Sequence, residues 1–424
     1  MSSTKESHVQ WLGEVPKNWR TLKLKFLCDI NTGSKDTQDK LPDGKYPFFV
    51  RSPHVESLDE FTHDEEAIMT AGDGVGVGKV FHYFEGKFAA HQRVYVFTKF
   101  KDTIGKYLYY YLMSNLKFEV LMGGAKSTVD SIRRPMLSEF PVVFPALELQ
   151  KKIVRFLDRK IKQVNDLISL KQNYVELIEE QRQSIITEAV TKGLNPKVKM
   201  KDSGVEWIGE IPEHWEITKI KYTTYVKGRI GWQGLKSDEF IDEGPFLVTG
   251  TDFLQGYVNW DTCYHISEER YNEAPPIQLQ ENDLLITKDG TIGKLAIVKE
   301  MPYKAILNSG VFVTRPFHNK YLSKYMYWLL SSTIFEKYIK FMETGSTIKH
   351  LYQETFVNFS YPIPSIVEQT KILNYLDIKI GEIDSIKTNI VKQIEKLKEY
   401  RQALIYEAVT GKIDVRDMEL DRVR

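Results

Sequence analysis

Residues 145–191 read PALELQKKIVRFLDRKIKQVNDLISLKQNYVELIEEQRQSIITEAVT, and they decide how the chain is built because they occur twice. Residues 364–410 read PSIVEQTKILNYLDIKIGEIDSIKTNIVKQIEKLKEYRQALIYEAVT. The offset is 219 at the start (145 and 364) and again near the end (182 and 401), so the copies align without a gap. In the first copy apolar residues fall at Ile153, Leu157, Ile161, Val164, Ile168, Val175, Ile178, Ile185 and Ala189. In the second they fall at Ile372, Leu376, Ile380, Ile383, Ile390, Ile394, Leu397, Leu404 and Ala408. From Ile161 and Ile380 the steps alternate three and four, with Lys171, Arg182, Lys387 and Arg401 filling the gaps, which is the heptad seam of a coiled coil. Each segment lacks an internal proline and predicts a helix of about 42 residues, roughly 63 Å long at 1.5 Å per residue. So long a stripe must be buried, and the other copy is the partner of equal length, so the expectation is an intramolecular antiparallel pair. The plainer alternative is a helix packed on its own domain.

A second repeat precedes each long segment. Residues 11–19 read WLGEVPKNW and residues 207–215 read WIGEIPEHW, so W-x-G-E-x-P-x-x-W recurs and takes four of the seven tryptophans. Between each of these blocks and its long segment lies a region that shares little sequence with its counterpart. Short strand patterns occur there at 48–50, 94–97, 246–248, 284–287 and 295–298, punctuated by Gly, Asp and Asn. Each region closes with an amphipathic helix, 107–122 or 324–342, whose Tyr and Trp read as core, followed by a polar turn. The fold class is therefore α/β, as two compact α/β regions alternating with two long helices.

No catalytic motif emerges. The glycine-rich AGDGVGVGKV at 71–80 departs from a phosphate loop, because Val80 follows Lys79 and Asp73 stands where the first glycine belongs. Its counterpart is TKDGTIGKL at 287–295, so D-G-x(2 or 3)-G-K is common to both and predicts a hairpin loop carrying Lys79 or Lys294. Such a loop is either a tight turn or an approach to phosphate through its amides and lysine. The single Pro-Pro, Pro275-Pro276, has no acid or amide before it, so the base-holding element of an amino-methyltransferase is missing. The nine histidines show no ligand spacing, and the two cysteines, Cys28 and Cys263, lie far apart, which excludes a disulfide framework and fits a reducing compartment. No metal site is expected.

With 58 basic and 57 acidic residues the formal net charge is +1, which excludes a histone-like polycation but leaves room for local basic surfaces. Hydrophobic residues at 42% are enough for a sizeable core. No run of 18 apolar residues and no signal-like N-terminus occur, so the expectation is a cytoplasmic protein without a membrane span.

The ordered duplication around dissimilar regions resembles the specificity subunit of type I restriction–modification enzymes, across essentially the whole chain. The residues that carry the resemblance are Trp11, Gly13, Pro16 and Trp19 with Trp207, Gly209, Pro212 and Trp215, then Pro145, Gln150 and Leu157 with Pro364, Glu368, Gln369 and Leu376. Leu149-Gln150 stands where the family often has Glu-Gln. The resemblance implies two target-recognition domains, each reading one half of a bipartite site in double-stranded DNA. It implies that the antiparallel helices set the spacer and dock two modification subunits that methylate adenine, with up to two restriction subunits joining. It implies no catalysis and no cofactor on this chain, S-adenosylmethionine, ATP and magnesium belonging to the partner subunits. The expected divisions are 1–146 for the first recognition domain and 147–192 for the first helix. Residues 193–364 form the linker and second domain, 365–411 the second helix and 412–424 a tail. Joining the ends would recreate the central junction, in which EAVT at 188–191 precedes Trp207, so a pseudo-twofold circular arrangement is expected.

Base readout needs fixed donor patterns, such as Arg to guanine and Asn or Gln to adenine. Polar loop residues at equivalent places are therefore the candidate DNA contacts. They are Arg51, Ser52 and His54 against Thr251 and Asp252, and Lys79 against Lys294. His91, Gln92 and Arg93 stand against Asn308 and Ser309. Lys126, Ser127 and Thr128 stand against Ser346, Thr347, Lys349 and His350. Arg229, Trp232 and Gln233 are added in the second region. The rival functions are a stand-alone DNA enzyme and a coiled-coil scaffold whose two domains bind protein.

Overall fold

The computed structural model describes residues 4–122, 131–229, 235, 237–342 and 350–416. The long helices run Leu147–Lys192 and Ile366–Thr410. The compact units do not follow the serial division of the sequence. One comprises residues 1–172 and 391–424, the other residues 173–390, so each holds one globular region with part of both helices. The reason is antiparallel pairing, which brings the start of one helix and the end of the other to the same globular region.

The four cations that interrupt the heptad seam account for themselves. In the first unit Lys171 Nζ donates to Gln393 Oε1 at 2.6 Å, and Arg401 donates to Asn165 Oδ1. In the second unit Lys387 Nζ donates to Glu179 Oε2 at 2.7 Å, and Arg182 Nε lies 3.3 Å from Asp384 Oδ1. As residue number rises along one helix it falls along the other, which is the antiparallel sense. Long cationic stems lie along the seam while their charged heads reach the facing helix. Val164 and Ile168 in the first unit, and Ile178, Ile380, Ile383 and Ile390 in the second, are buried as the heptad predicts. Near the globular end of the first helix the burial shifts to Ile186 and Val190, because there the helix packs on a domain as well as on its partner.

In the first unit a six-stranded sheet runs in the order Asp29–Thr32, Val94–Thr98, His63–Ala71, Phe81–Ala90, Tyr46–Phe49 and Glu56–Leu58. Its neighbours are antiparallel except Tyr46–Phe49 beside Phe81–Ala90. The second unit repeats the theme with Thr224–Gly228, Val311–Pro316, Leu284–Thr287 and Leu295–Ile297 as successive neighbours, and with Ile241–Val248 parallel to Ala305–Leu307. Both glycine-rich loops join antiparallel strand neighbours, as expected of hairpins. Gly105–Met122 is one helix with Tyr107, Leu108, Tyr111 and Leu112 buried. The corresponding stretch of the second unit is two helices, Ser323–Leu330 and Thr333–Met342, not one. Ser331 and Ser332 sit at the break, their hydroxyls donating to the carbonyls of Tyr327 and Leu329, the backbone competition that ends helices at serine.

Both units are fixed by one frame. Gln150, fully buried, accepts from Ile104 N and Thr103 Oγ1 and donates to the Pro145 carbonyl; Gln369 accepts from Leu322 N and donates to the Pro364 carbonyl. Tyr107 Oη bonds the carbonyls of Val143 and Val409, and Tyr325 Oη those of Pro362 and Val190. Each tyrosine thus ties its globular region to the end of a long helix. The W-block glycines Gly13 and Gly209 have φ of +71° and +76°, which explains their fixed place in the motif. Gly193, just past the first long helix, lies against Trp215 and Pro212, and Gly411, just past the second, lies against Pro16 and Trp19. Among the described residues no helix is long and apolar enough to cross a membrane.

Candidate functional site

In the first unit the residues that end one strand, start another and open the glycine-rich hairpin meet at one edge of the sheet. Arg51 follows Tyr46–Phe49, Asp73 follows His63–Ala71, and Arg93 precedes Val94–Thr98. The Asp73 carboxylate accepts from Arg51 NH1 at 2.6 Å and from Arg93 NH1 at 2.9 Å. Burial pushes the Asp73 carboxyl up, but the two guanidiniums outweigh it and hold the group below its ordinary value. The backbone is fixed beneath them: Gly72 N donates to the Arg93 carbonyl, Ile132 N donates to the Gly72 carbonyl, and Asp73 bridges Ser131. A side chain at Gly76 would meet the Arg51 carbonyl at 2.4 Å, so glycine lets the hairpin close on the Arg51 turn.

The other expected residues distribute unevenly. Gln92 is exposed and donates to Asp36 Oδ2 at 2.7 Å. Ser52 and His54 form a local turn, His54 N donating to Ser52 Oγ. His91 is buried, and its Nδ1 accepts from Arg93 N, so it supports the turn instead of facing out. Burial, and next the charge of Arg51, push its imidazole below the ordinary value. Lys79 is exposed in a different place, a groove of about 760 Å³ shared with Tyr109, Lys117 and Arg401.

In the second unit Asp289 occupies the place of Asp73. Lys288 N donates to the Gly310 carbonyl as Gly72 N does to Arg93, and Asp289 bridges His350 as Asp73 bridges Ser131. The backbone pairing that sets His91 against Phe49 sets Asn308 against Val248. By this register Gly250 and Gly310 stand where Arg51 and Arg93 stand in the first unit. Asp289 instead holds His350, through Oδ1 and Nδ1. Lys294 Nζ folds back to the Gly250 carbonyl at 3.1 Å, beside exposed Thr251. Asn308 accepts from Ser309 N through its own side chain.

Two expected contacts are turned inward. Asp252 is buried, its carboxylate taking Thr249 N, Thr249 Oγ1 and Thr262 Oγ1, so it closes its own turn. Arg229 is buried with Nε donating to the Leu307 carbonyl, which removes it from the surface set. Polar side chains in short loops satisfy the loop's own backbone as readily as a ligand, and residue type alone does not separate the two. Lys126, Ser127, Thr128, Trp232, Gln233, Ser346, Thr347 and Lys349 lie outside the described residues. Asp73 and Asp289, which hold these edge groups in place, are not among the expected contacts. Their signal was present in the D-G shared by the two hairpins. No group of three or more His, Cys, Asp or Glu is placed to hold a metal among the described residues.

The sequence model of the family described as type I restriction modification DNA specificity domain matches residues 16–177 and 215–396. The specificity subunit of the type I restriction enzyme MjaVIII of Methanocaldococcus jannaschii is 24% identical over 422 residues, 95% of either chain. That of EcoDI from Escherichia coli is 21% identical, covering 95% of this chain and 90% of the relative. A structure from work on complex assembly and conformational transition of the type I R-M system superposes with a TM-score of 0.71 at 15% identity, covering 94% of this chain and 99% of that one. The HsdS subunit from Thermoanaerobacter tengcongensis gives 0.50 at 15% identity, covering 96% and 100%. At these identities the structural likeness concerns the fold.

Proposed function

This chain belongs to the type I restriction modification DNA specificity domain family, and from that premise we propose that it is the sequence-reading subunit of a type I complex. Each globular region reads its own half of a bipartite site in double-stranded DNA. The paired helices set the spacer and dock two modification subunits, which bring S-adenosylmethionine and methylate adenine. Up to two restriction subunits bring ATP, magnesium and cleavage, and this chain supplies no catalytic group.

The observation that carries this reading is a frame repeated around two dissimilar surfaces. The glutamine, tyrosine and tryptophan contacts recur in both units, while the groups held by Asp73 and Asp289 differ. A protein that varies its loop edge while keeping its frame is built to discriminate between ligands of one class. Direct readout through arginine at the first edge is compatible with a net charge near zero, since specificity resides in base contacts and phosphate attraction can come from partners. The docking role draws on Leu167 and Leu170, which are exposed three residues apart on the first long helix within the first unit. Such a pair, left free by the intramolecular seam, suits an apolar helix of a partner.

The test is to exchange residues 20–144 for those of a relative, in complex with the modification subunits, and map methylated adenines. One half of the motif changes and the other stays. A change in both halves, or in neither, overturns the reading. Inserting one heptad after Gln172 and another after Ile390 lengthens each helix by about 10 Å. The spacer should then grow by about three base pairs with both half-sites unchanged.

A further inference from the structure

The carboxylate shared by two arginines in the first unit has a use beyond holding a hairpin. We propose that Asp73 is a positioning residue for specificity, orienting Arg51 and Arg93 to read two guanines on neighbouring base pairs of one half-site. This rests on the reading of the chain as a DNA specificity subunit, and it names which bases the first unit selects.

The argument starts from what a guanidinium needs to discriminate. Arginine reads guanine by donating two N–H groups to O6 and N7, which requires the planar fork to be presented in one orientation. A free surface arginine loses considerable rotamer freedom on adopting that pose. Here each arginine spends NH1 on Asp73, and among the described residues neither side chain makes another hydrogen bond. The carboxylate fixes one edge of each guanidinium and leaves N–H groups to point outward. The side chains of Arg51 and Arg93 are 41% and 60% exposed, against 23% for Asp73, so the acid sits beneath and the cations above. All three residues stand at strand ends or in a hairpin whose backbone is bonded to its neighbours. Two guanidiniums bound to one carboxylate are confined to a few ångströms of each other, which matches base pairs about 3.4 Å apart.

The second unit shows that the device belongs to one half-site. It keeps the carboxylate, as Asp289, but glycines 250 and 310 stand where the arginines would be, and the acid holds His350 instead. If the aspartate served the hairpin alone, it would need no such change of client.

The experiment uses the complete complex with modification subunits and maps methylated adenines for wild type, D73N, R51A, R93A and R51K. The wild-type motif should carry two adjacent guanines in the half-site assigned to the first unit by the exchange of residues 20–144. R51A and R93A should each relax one guanine position, losing about 5- to 150-fold discrimination, the equivalent of one bidentate pair. D73N should relax both positions while the second half-site stays fully specified, which reports in the same molecule that the complex is folded. R51K, which keeps the charge but not the fork, should relax the same base as R51A with an unchanged salt slope. A first half-site without guanine, or D73N lowering methylation at every site equally with no change of base preference, overturns the proposal while leaving the subunit's function intact. An exchange of residues 20–144 that alters no half-site removes the underlying reading itself.

Discussion

The two W-block junctions make the same contact by different means. At the first, Gly411 packs on Pro16 and Trp19, residues nearly 400 positions away in sequence; at the second, Gly193 packs on Pro212 and Trp215, some 20 residues on. Both glycines have positive φ, +74° and +72°, and both lie where a Cβ would press on the tryptophan ring. The contact is therefore selected for its geometry and not imposed by chain continuity. The chemistry around it differs. Glu368 accepts from Trp215 Nε1 at 3.1 Å and pairs with His214 Nε2 at 2.7 Å, whereas Leu149 and Asn18 line the corresponding cleft of the first unit. The apolar frame is common, and the polar reinforcement belongs to one side.

Trp19→Ala and Trp215→Ala test the common part most severely. Each removes a buried ring and should cost about 3–5 kcal/mol, measured by denaturant unfolding with hydrogen exchange to locate the loss in one unit or the other. A negligible cost for Trp19→Ala would break the equivalence of the junctions. Gln150→Ala and Gln369→Ala strand buried backbone groups at the helix starts, and about 2–3 kcal/mol is expected from each in its own unit. Tyr107→Phe and Tyr325→Phe remove only the hydroxyl that ties a helix end, so the same assay should register about 1–2 kcal/mol for each.

The smallest effect sharpens the difference instead. Burial raises the Glu368 carboxyl, yet bonds from His214, Trp215 and Ser365 outweigh that and bring it down to about 2. A carboxyl depressed on folding stabilises above its ordinary value and loses that contribution as pH falls toward the folded one. Between about pH 4.5 and 2 the second unit should therefore lose stability that Glu368→Gln does not lose. Leu149 gives the first unit no such term, and hydrogen exchange near Trp215 and Trp19 at pH 5 and 3 would compare them. Equal acid sensitivity of both junctions, before and after the substitution, would remove the distinction.

The fold was legible where physics repeats over many residues. The heptad steps mark the long helices and locate the four seam cations as well, because a missing apolar residue at a fixed period still occupies the seam. The break at Ser331–Ser332 was hidden, since its apolar period continues through two residues that end a helix by local hydrogen bonds. The site was less legible for the same reason at a smaller scale. His91, Asp252 and Arg229 have the chemistry of ligand-facing groups, and their direction is set by one or two bonds to nearby backbone. Residue type singles out Arg51 and Arg93, but the acid joining them is 22 positions from one and 20 from the other, a pairing that only strand order creates.

The way the units divide the chain also sets an order of events during synthesis. The second unit is one continuous stretch, residues 173–390, and its tyrosine tie spans 135 positions, from Tyr325 to Val190. The first unit needs Leu404, Ile405, Ala408 and Val409 in its core, and its tie from Tyr107 to Val409 spans 302. On a ribosome adding about 5–20 residues per second, the region made first waits tens of seconds for the helix end that completes it. The region made second closes on residues already present. By this order the earlier half of the chain is the later to complete its contacts, since until residues 409 and 411 emerge Tyr107 lacks the Val409 carbonyl and Trp19 lacks its contact with Gly411.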